Sequence, residues 1–317
     1  MALLRKVNQI LVVLLLLMVC LLLHSSLLGA SPRPKPADVD DVVPVVICAS
    51  EERIGAAMAS INSVSSNTHS NYIMKSKLKG IKYKILEFNP MVLKGKVKPD
   101  SSRPDLLHPV SSFRYFMLNF VRFYLPLLDI HHKRVIYLDD DVIVQGKESF
   151  CNYVSFGKVD LFEPNVEKKT VTCPPLMRWS EASACRKQEV RDLGINPREC
   201  SFNPGVFVAD IREWKKQKIT KQLEKWMEEN FRQNIYSSAM AGGVATPPML
   251  IVFHDKYTTL DPLWHVRHLD ARYAESFLQE ALLLHWNGPF KPWSYPAVHL
   301  DLWEKWFVPD PSRRFSL

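Results

Sequence analysis

Apolar residues fall along this chain in short unbroken runs separated by segments of helical spacing. VPVVICA, Val43 to Ala49, is continuous and β-branched, as in a strand buried on both faces. Ser50 follows at an N-cap position, and Ile54, Ala57, Met58, Ile61 and Val64 form one apolar helical stripe. YKILEF, Tyr83 to Phe88, predicts a second strand, and Asn119 to Leu128 predicts a helix stopped or kinked by Pro126. VIYL, Val135 to Leu138, and GVFVAD, Gly205 to Asp210, predict two more strands. Asp210 with Glu213 resembles a capping box for a helix whose inner side carries Ile211, Trp214, Ile219, Leu223, Trp226 and Met227. MLIVF, Met249 to Phe253, predicts a fifth strand, and a helix over Glu275 to Leu284 precedes HWNG. Strands alternating with helices give an α/β fold with a mostly parallel sheet covered on both faces. Ligands bind such sheets beyond the carboxyl ends of the strands, where Ala49 and Ser50 and the run Asp139 to Asp141 both fall.

The N-terminus follows another pattern. Ile10 to Leu23 is uninterruptedly apolar, follows Arg5 and Lys6, and extends through weakly polar residues to Ala30. A spanning helix needs about 20 mostly apolar residues, and no strong small-x-small cleavage site follows, because Leu28 occupies the −3 position of a site ending at Ala30. Residues 10–30 read as an uncleaved signal-anchor rather than a cleaved signal peptide, with residues 1–9 as a cytosolic tail. SPRPKPADVDD, within a segment 31–43, reads as a stiff stem, and 44–317 as the globular part, on the lumenal side. Of six cysteines, Cys20 lies in the apolar segment, and the remaining five leave at least one free or intermolecular in an oxidising compartment. No C-x-x-C pair supports a zinc site, and no N-x-S/T sequon occurs. The net charge of +8 is partly local, in a lysine-rich stretch from Lys75 to Lys98. That stretch reads as a solvated face, with an anionic substrate or membrane headgroups as the sharper alternative. The anchor argues against a nucleic-acid partner.

RVIYLDDDVIV, Arg134 to Val144, sets Asp139, Asp140 and Asp141 between apolar runs, where a surface acidic turn would have Gly, Pro or Ser as neighbours. In an extended chain Asp139 and Asp141 share one face and Asp140 takes the other. Two carboxylates ~5 Å apart repel by roughly 3 kcal/mol at an effective dielectric of ~20, so one of them would take up a proton. A divalent cation such as Mn²⁺ or Mg²⁺ removes the conflict. LLLHWNGPFKPW, Leu282 to Trp293, offers His285 as a third ligand, Gly288 for close backbone approach and Lys291 for the phosphates of a metal-bound diphosphate. His265 and His268 in LWHVRHL are rivals for the third ligand. A phosphatase of haloacid dehalogenase type also carries D-x-D after a hydrophobic strand, but LDPLWH and PDPS supply no convincing late acidic pair for it.

FVRFYLPLL with KRVIYLDDDVIV, CSFNPGVFVAD and LLHWNGPFKPW, in that order, resemble the family 8 glycosyltransferases. The resemblance implies the A-type glycosyltransferase fold, Rossmann-like, and a metal-dependent, retaining transfer of a hexose or related sugar from a UDP-sugar to a glycan, protein or lipid acceptor, with residence in the Golgi or ER lumen. It implies Asp139, Asp141 and His285 as metal ligands and Asp140 near the ribose. It further implies Gly288 and Lys291 at the diphosphate, Asn203 and Arg122 beside the donor sugar, and Ala49, Ser50 and Glu52 around the uridine, where the family often has Asp and Asn. Departures accompany it. Thr246, Pro247 and Pro248 stand where many members carry an Asp-Gln pair, and a strand and helix are missing around Asn71 to Lys79. His108 to Leu118 looks inserted, Gly157 to Gln188 lacks a strand and an acidic loop, and Val266 to Tyr273 is shortened, as in an aberrant transcript. They raise the alternative of an inactive or misfolded relative acting as a lumenal binding protein.

Overall fold

A computed structural model describes residues 43–67, 83–97, 117–146, 162–164, 188–195, 202–233, 235–236, 245–258, 260–269 and 273–309. The signal-anchor 10–30 and all of the stem but Val43 lie outside these residues, as do the regions of the missing and inserted segments except for Met117, Leu118 and parts of 157–188 and 266–273. No described helix is long and apolar enough to cross a membrane.

The described elements begin with β1 (Val45–Cys48), a 3₁₀ turn (Glu51–Arg53) and α1 (Ile54–Asn67). A 3₁₀ segment (Val121–Leu127) leads to β2 (Arg134–Asp139) and β3 (Val142–Val144). Then come β4 (Phe162–Pro164), a single helical turn (Gln188–Arg191), β5 (Val206–Asp210), α2 (Ile211–Lys216), α3 (Ile219–Gln233) and α4 (Thr246–Phe253). The chain continues through a 3₁₀ turn (Pro262–His265), β6 (Val266–Arg267), α5 (Glu275–Glu280), β7 (Leu283–His285) and α6 (Leu300–Glu304).

The fold is mixed α/β, but the expectation of a mostly parallel sheet is corrected. One sheet has the order β1-β2-β5-β4 and the other β3-β7-β6. Among the described strands, β1 with β2 and β6 with β7 run parallel, whereas β2–β5, β4–β5 and β3–β7 are antiparallel. Strands covered on both faces carry the same unbroken apolar runs in either direction, so their sequence does not reveal polarity. In β2 and β5, Val135, Tyr137, Phe207 and Ala209 pack into the core under α2, α3 and α4, while Ile136, Leu138, Val206 and Val208 fill the opposite face. Tyr137 and Phe207 are a cross-strand pair with rings stacked 5.0 Å apart.

Other expectations also shift. Met249 to Phe253 belongs to α4, with Pro247 and Pro248 in its first turn, where proline is tolerated. All eight residues of α4 are buried, and a helix apolar on every side has no amphipathic period to separate it from a strand. Residues 83–88 form no strand, and Tyr83 and Ile85 are exposed, because β-propensity needs a paired, half-buried surface to act. The helix expected over 275–284 ends at Glu280, and β7 takes the remainder. Residues 121–127 are helical in 3₁₀ form with a break at Tyr124, two residues ahead of Pro126. Asp210 caps α2 through Oδ1, which accepts from Arg212 N at 2.9 Å and Glu213 N at 3.0 Å. Lys218, at φ 55°, separates α2 from α3 inside the single helix expected.

Helix α1 turns inward a face that only partly matches the expected one. Ser50 makes no side-chain cap and Ile54 is exposed; Ala57 is buried and Val64 packs against the core as expected, but Ala56, Ala59, Ser60, Asn62 and Ser63 are buried as well. The reason lies in β3, a three-residue strand whose other edge faces α1. Ser60 Oγ lies 2.7 Å from Val142 O and 3.0 Å from Asp140 O. Ser63 Oγ accepts from Val144 N at 3.0 Å and donates to Ser60 O, and Asn67 Nδ2 donates to Val144 O at 2.9 Å. A polar stripe thus satisfies backbone groups that a neighbouring strand would otherwise pair. Ser63→Ala should destabilise the fold by about 1–3 kcal/mol, because Val144 N loses its acceptor. Exposed Ser66→Ala should stay within about 0.5 kcal/mol, both read from urea unfolding midpoints.

Candidate metal centre

The antiparallel pairings bring distant parts of the chain to one point. β2 ends at Asp139 while β5 begins beside it, so Asn203 and Gly205 meet the carboxyl end of β2, and Asp139 N donates to Gly205 O at 2.8 Å. β3 runs against β7 with Val142 opposite His285, which sets the imidazole next to Asp141. His285 Nε2 lies 3.1 Å from Asp141 Oδ1 and 3.8 Å from Asp139 Oδ2. One ligand atom from each of the three residues falls within 4.8 Å of the others. Neither rival replaces His285. His268 takes a left-handed backbone, its N–H held by Asn287 Oδ1, and His265 lies behind the His285 ring.

Each aspartate has a cationic partner. Arg122 Nη2 donates to Asp139 Oδ1 at 2.9 Å, Arg53 Nη2 lies 2.8 Å from Asp140 Oδ1, and Lys291 Nζ donates to Asp141 Oδ2 at 2.6 Å. Asp139 and Asp141 thereby commit one oxygen to a side chain and turn the other toward His285. Asp141 Oδ1 is buried and accepts no hydrogen bond. Burial alone would push the Asp141 carboxyl up, but Lys291 and His285 override it and hold it well below the usual range. Asp140 goes the other way, pushed up to about 8 by burial, with Arg53 opposing and Asp141 adding to the rise. His265 is held well below the usual imidazole range, first by burial and then by His285 and Arg267, so it is neutral.

Arg122 is held rigidly. Nε donates to Asn119 O at 2.9 Å and Nη1 to Pro204 O at 2.7 Å, and its guanidinium stands 4.8 Å over the Tyr137 ring. Asn203 Oδ1 accepts from Gly205 N at 2.8 Å, which orients the amide beside the cluster. Ser50 is buried and Ala49 half-buried at the end of β1, whereas Glu52 is exposed on the following turn. Gly288 is half-buried three residues past His285.

Two residues were not singled out from the sequence. Arg53 partners Asp140 and lies 5.1 Å over the Trp293 ring, but an arginine in a first helical turn looks like any solvated residue. Gly205 passes for an ordinary turn glycine in FNPG. A Cβ there would stand 2.5 Å from Asp139 Oδ2, 2.5 Å from His285 Cε1 and 2.9 Å from Asn203 Oδ1. The missing side chain keeps open the space on which the ligand atoms converge. Two carboxylate oxygens, one of them buried without a hydrogen bond, an imidazole nitrogen and a cradle that one methyl would fill together fit a small divalent cation.

The model of the family described as Glycosyl transferase family 8 matches residues 44–297. The human protein named Glycosyltransferase 8 domain-containing protein 2 is 50% identical over 353 residues, covering 100% of this chain and 99% of its own. Human Glycosyltransferase 8 domain-containing protein 1 is 39% identical over 365 residues, covering 99% and 96%. Both alignments exceed the 317 residues of this chain, so these relatives carry residues with no counterpart here. Among solved structures, the galactosyltransferase LgtC in complex with donor and acceptor sugar analogues has a TM-score of 0.55 at 13% identity, over 85% of this chain and 98% of that one. The bifunctional glycosyltransferase WbbM has a TM-score of 0.59 at 15% identity, over 87% of this chain and 51% of that one. These two likenesses establish the fold. Neither the phosphatase reading nor that of an inactive binding protein gains support. Gly205→Ala should weaken Mn²⁺ binding at least about tenfold, by analogy with losses on disturbing ligand orientation. Free Mn²⁺ measured by electron paramagnetic resonance would check this, with circular dichroism confirming the fold.

Proposed function

The chain belongs to glycosyl transferase family 8, and we propose that it is a retaining, metal-dependent transferase moving a hexose or related sugar from a UDP-sugar to an acceptor. The observation that carries the reading is the convergence of Asp139, Asp141 and His285 on one point beside Lys291. These three residues would hold Mn²⁺, or Mg²⁺, through Asp139 Oδ2, Asp141 Oδ1 and His285 Nε2. Such a cation supplies Lewis-acid neutralisation of the charge that develops on a departing diphosphate. Lys291 adds a fixed positive charge to the same side, with one N–H donor to spare beyond Asp141 and Trp286 O.

The remaining residues bind and orient. Asp140 keeps Oδ1 on Arg53, and its buried Oδ2, which accepts no hydrogen bond, suits a ribose hydroxyl as donor. Ala49 and Ser50 at the end of β1, with Glu52 on the next turn, lie at the strand terminus where the uracil would rest. Arg122 and Asn203 flank the donor sugar. Hydrogen bonds from the guanidinium to Asn119, Pro204 and Asp139 leave it little freedom, and the Asn203 carbonyl oxygen is committed to Gly205, so its amide N–H groups are what it offers to a sugar hydroxyl. Thr246, Pro247 and Pro248 are buried in the first turn of α4 and serve packing. The apolar segment 10–30 anchors the chain in a Golgi or ER membrane with residues 44–317 on the lumenal side.

Purified full-length chain should bind UDP by calorimetry in the presence of Mn²⁺ and lose that binding with chelator. Asp141→Asn should abolish it while far-ultraviolet circular dichroism stays unchanged. A panel of UDP-sugars should then show slow Mn²⁺-dependent release of UDP from one of them. UDP binding indifferent to both chelator and the substitution would overturn the reading.

A further inference from the structure

His265 ends the 3₁₀ turn Pro262–His265 and leads straight into β6, which runs parallel to β7 with Arg267 opposite His285. This register sets the two imidazoles side by side. His265 Nε2 lies 2.7 Å from His285 Nδ1, and both residues are 1% exposed. The ring planes differ by 17° and their centroids are 5.0 Å apart. Nearly coplanar rings with their nitrogens this close meet edge to edge along an N–H direction. Two ring nitrogens in such contact share one proton, so one donates and the other accepts.

The direction follows from the far side of His285. Its Nε2 faces Asp141 Oδ1 at 3.1 Å and Asp139 Oδ2 at 3.8 Å. A nitrogen that ligates a cation presents a lone pair, so the ring proton must sit on Nδ1, where it points at His265. Metal-ligating histidines usually hand this proton to a carboxylate, a backbone carbonyl or water. A carboxylate here would add a further negative charge behind Asp139 and Asp141, already crowded in a buried site, whereas an imidazole accepts the proton and adds none.

We propose that His265 is the positioning residue of the metal centre: its Nε2 accepts the Nδ1 proton of His285, fixes that ring's tautomer and aims the Nε2 lone pair between Asp139 and Asp141. The proposal rests on the metal-binding reading of the site. It assigns to this buried pair a role in tuning cation affinity.

The test uses full-length protein with ring-¹⁵N histidine. In the metal-free chain, long-range ¹H–¹⁵N spectra, with the His285 signals assigned through His285→Gln, should show Nδ1 of His285 protonated. A bare His285 Nδ1 with the proton on His265 Nε2 would overturn the proposal whether or not the protein binds metal. Titration with Mn²⁺ alone should show His265→Phe weakening binding on the order of 10- to 100-fold, with thermal unfolding of the metal-free form recorded beside it. His265→Gln, whose side-chain carbonyl can accept the same proton, should recover most of that loss. Wild-type affinity in His265→Phe, or equal losses in Phe and Gln, would refute the positioning role. Failure of the wild-type chain to bind Mn²⁺, with the proton found on His285 Nδ1, would instead strike the metal-binding reading and leave the hydrogen bond standing.

Discussion

Two carboxylate oxygens, Asp139 Oδ2 at the end of β2 and Asp141 Oδ1 in the turn that follows, approach one imidazole nitrogen on β7, and the surrounding fold is built to hold that approach. Like charges at this spacing repel, and burial strengthens the repulsion by removing the water that would screen it. The cluster persists because each aspartate has a cation of its own, Arg122, Arg53 or Lys291. Those pairings also orient the carboxylates. With one oxygen of Asp139 and one of Asp141 engaged, the others have a single direction left, toward His285.

The two sheets contribute differently. β2 and β5 form a rigid, doubly covered layer whose side chains lock Asp139 at one end and present Gly205 beside it. β3 and β7 are only three residues each, too short to hold themselves in place by ladder bonds alone. Their position depends on the polar stripe of α1 and on the cluster containing Ile143, Leu284, Trp286 and Trp303. Small residues matter here for what they leave out. Serines on α1 let helix backbone and strand edge come close enough to bond, and Gly205 leaves room where any other residue would crowd the ligands.

The segments that build the site, from β1 through α1, β2 with β3, the start of β5, β6, and β7 through Lys291, all lie among the described residues. The relatives carry residues that this chain lacks, yet Asp139, Asp141 and His285 still converge. Contacts that fix a site of this kind are short, directional and shared among several strands, so a loss elsewhere in a chain need not touch them.

Residue chemistry was legible from the sequence. Three aspartates inside an apolar run, a histidine at the end of another, and a lysine six residues on can serve few purposes when buried. Strands β1, β2 and β5 and the Asp210 cap were legible for a similar reason: local pattern and local hydrogen bonding determine them. The direction of β5 and β7, the inward polar face of α1, the helical state of Thr246–Phe253, and the parts played by Arg53, Gly205 and His265 were not. Each depends on a partner far away in the chain. Arg53 needs Asp140, Gly205 needs His285, and the serines of α1 need β3. The sequence by itself determined which groups could hold a cation. Tertiary structure alone decided that they meet, because strand polarity and packing contacts arise between segments and leave no periodic mark within either one.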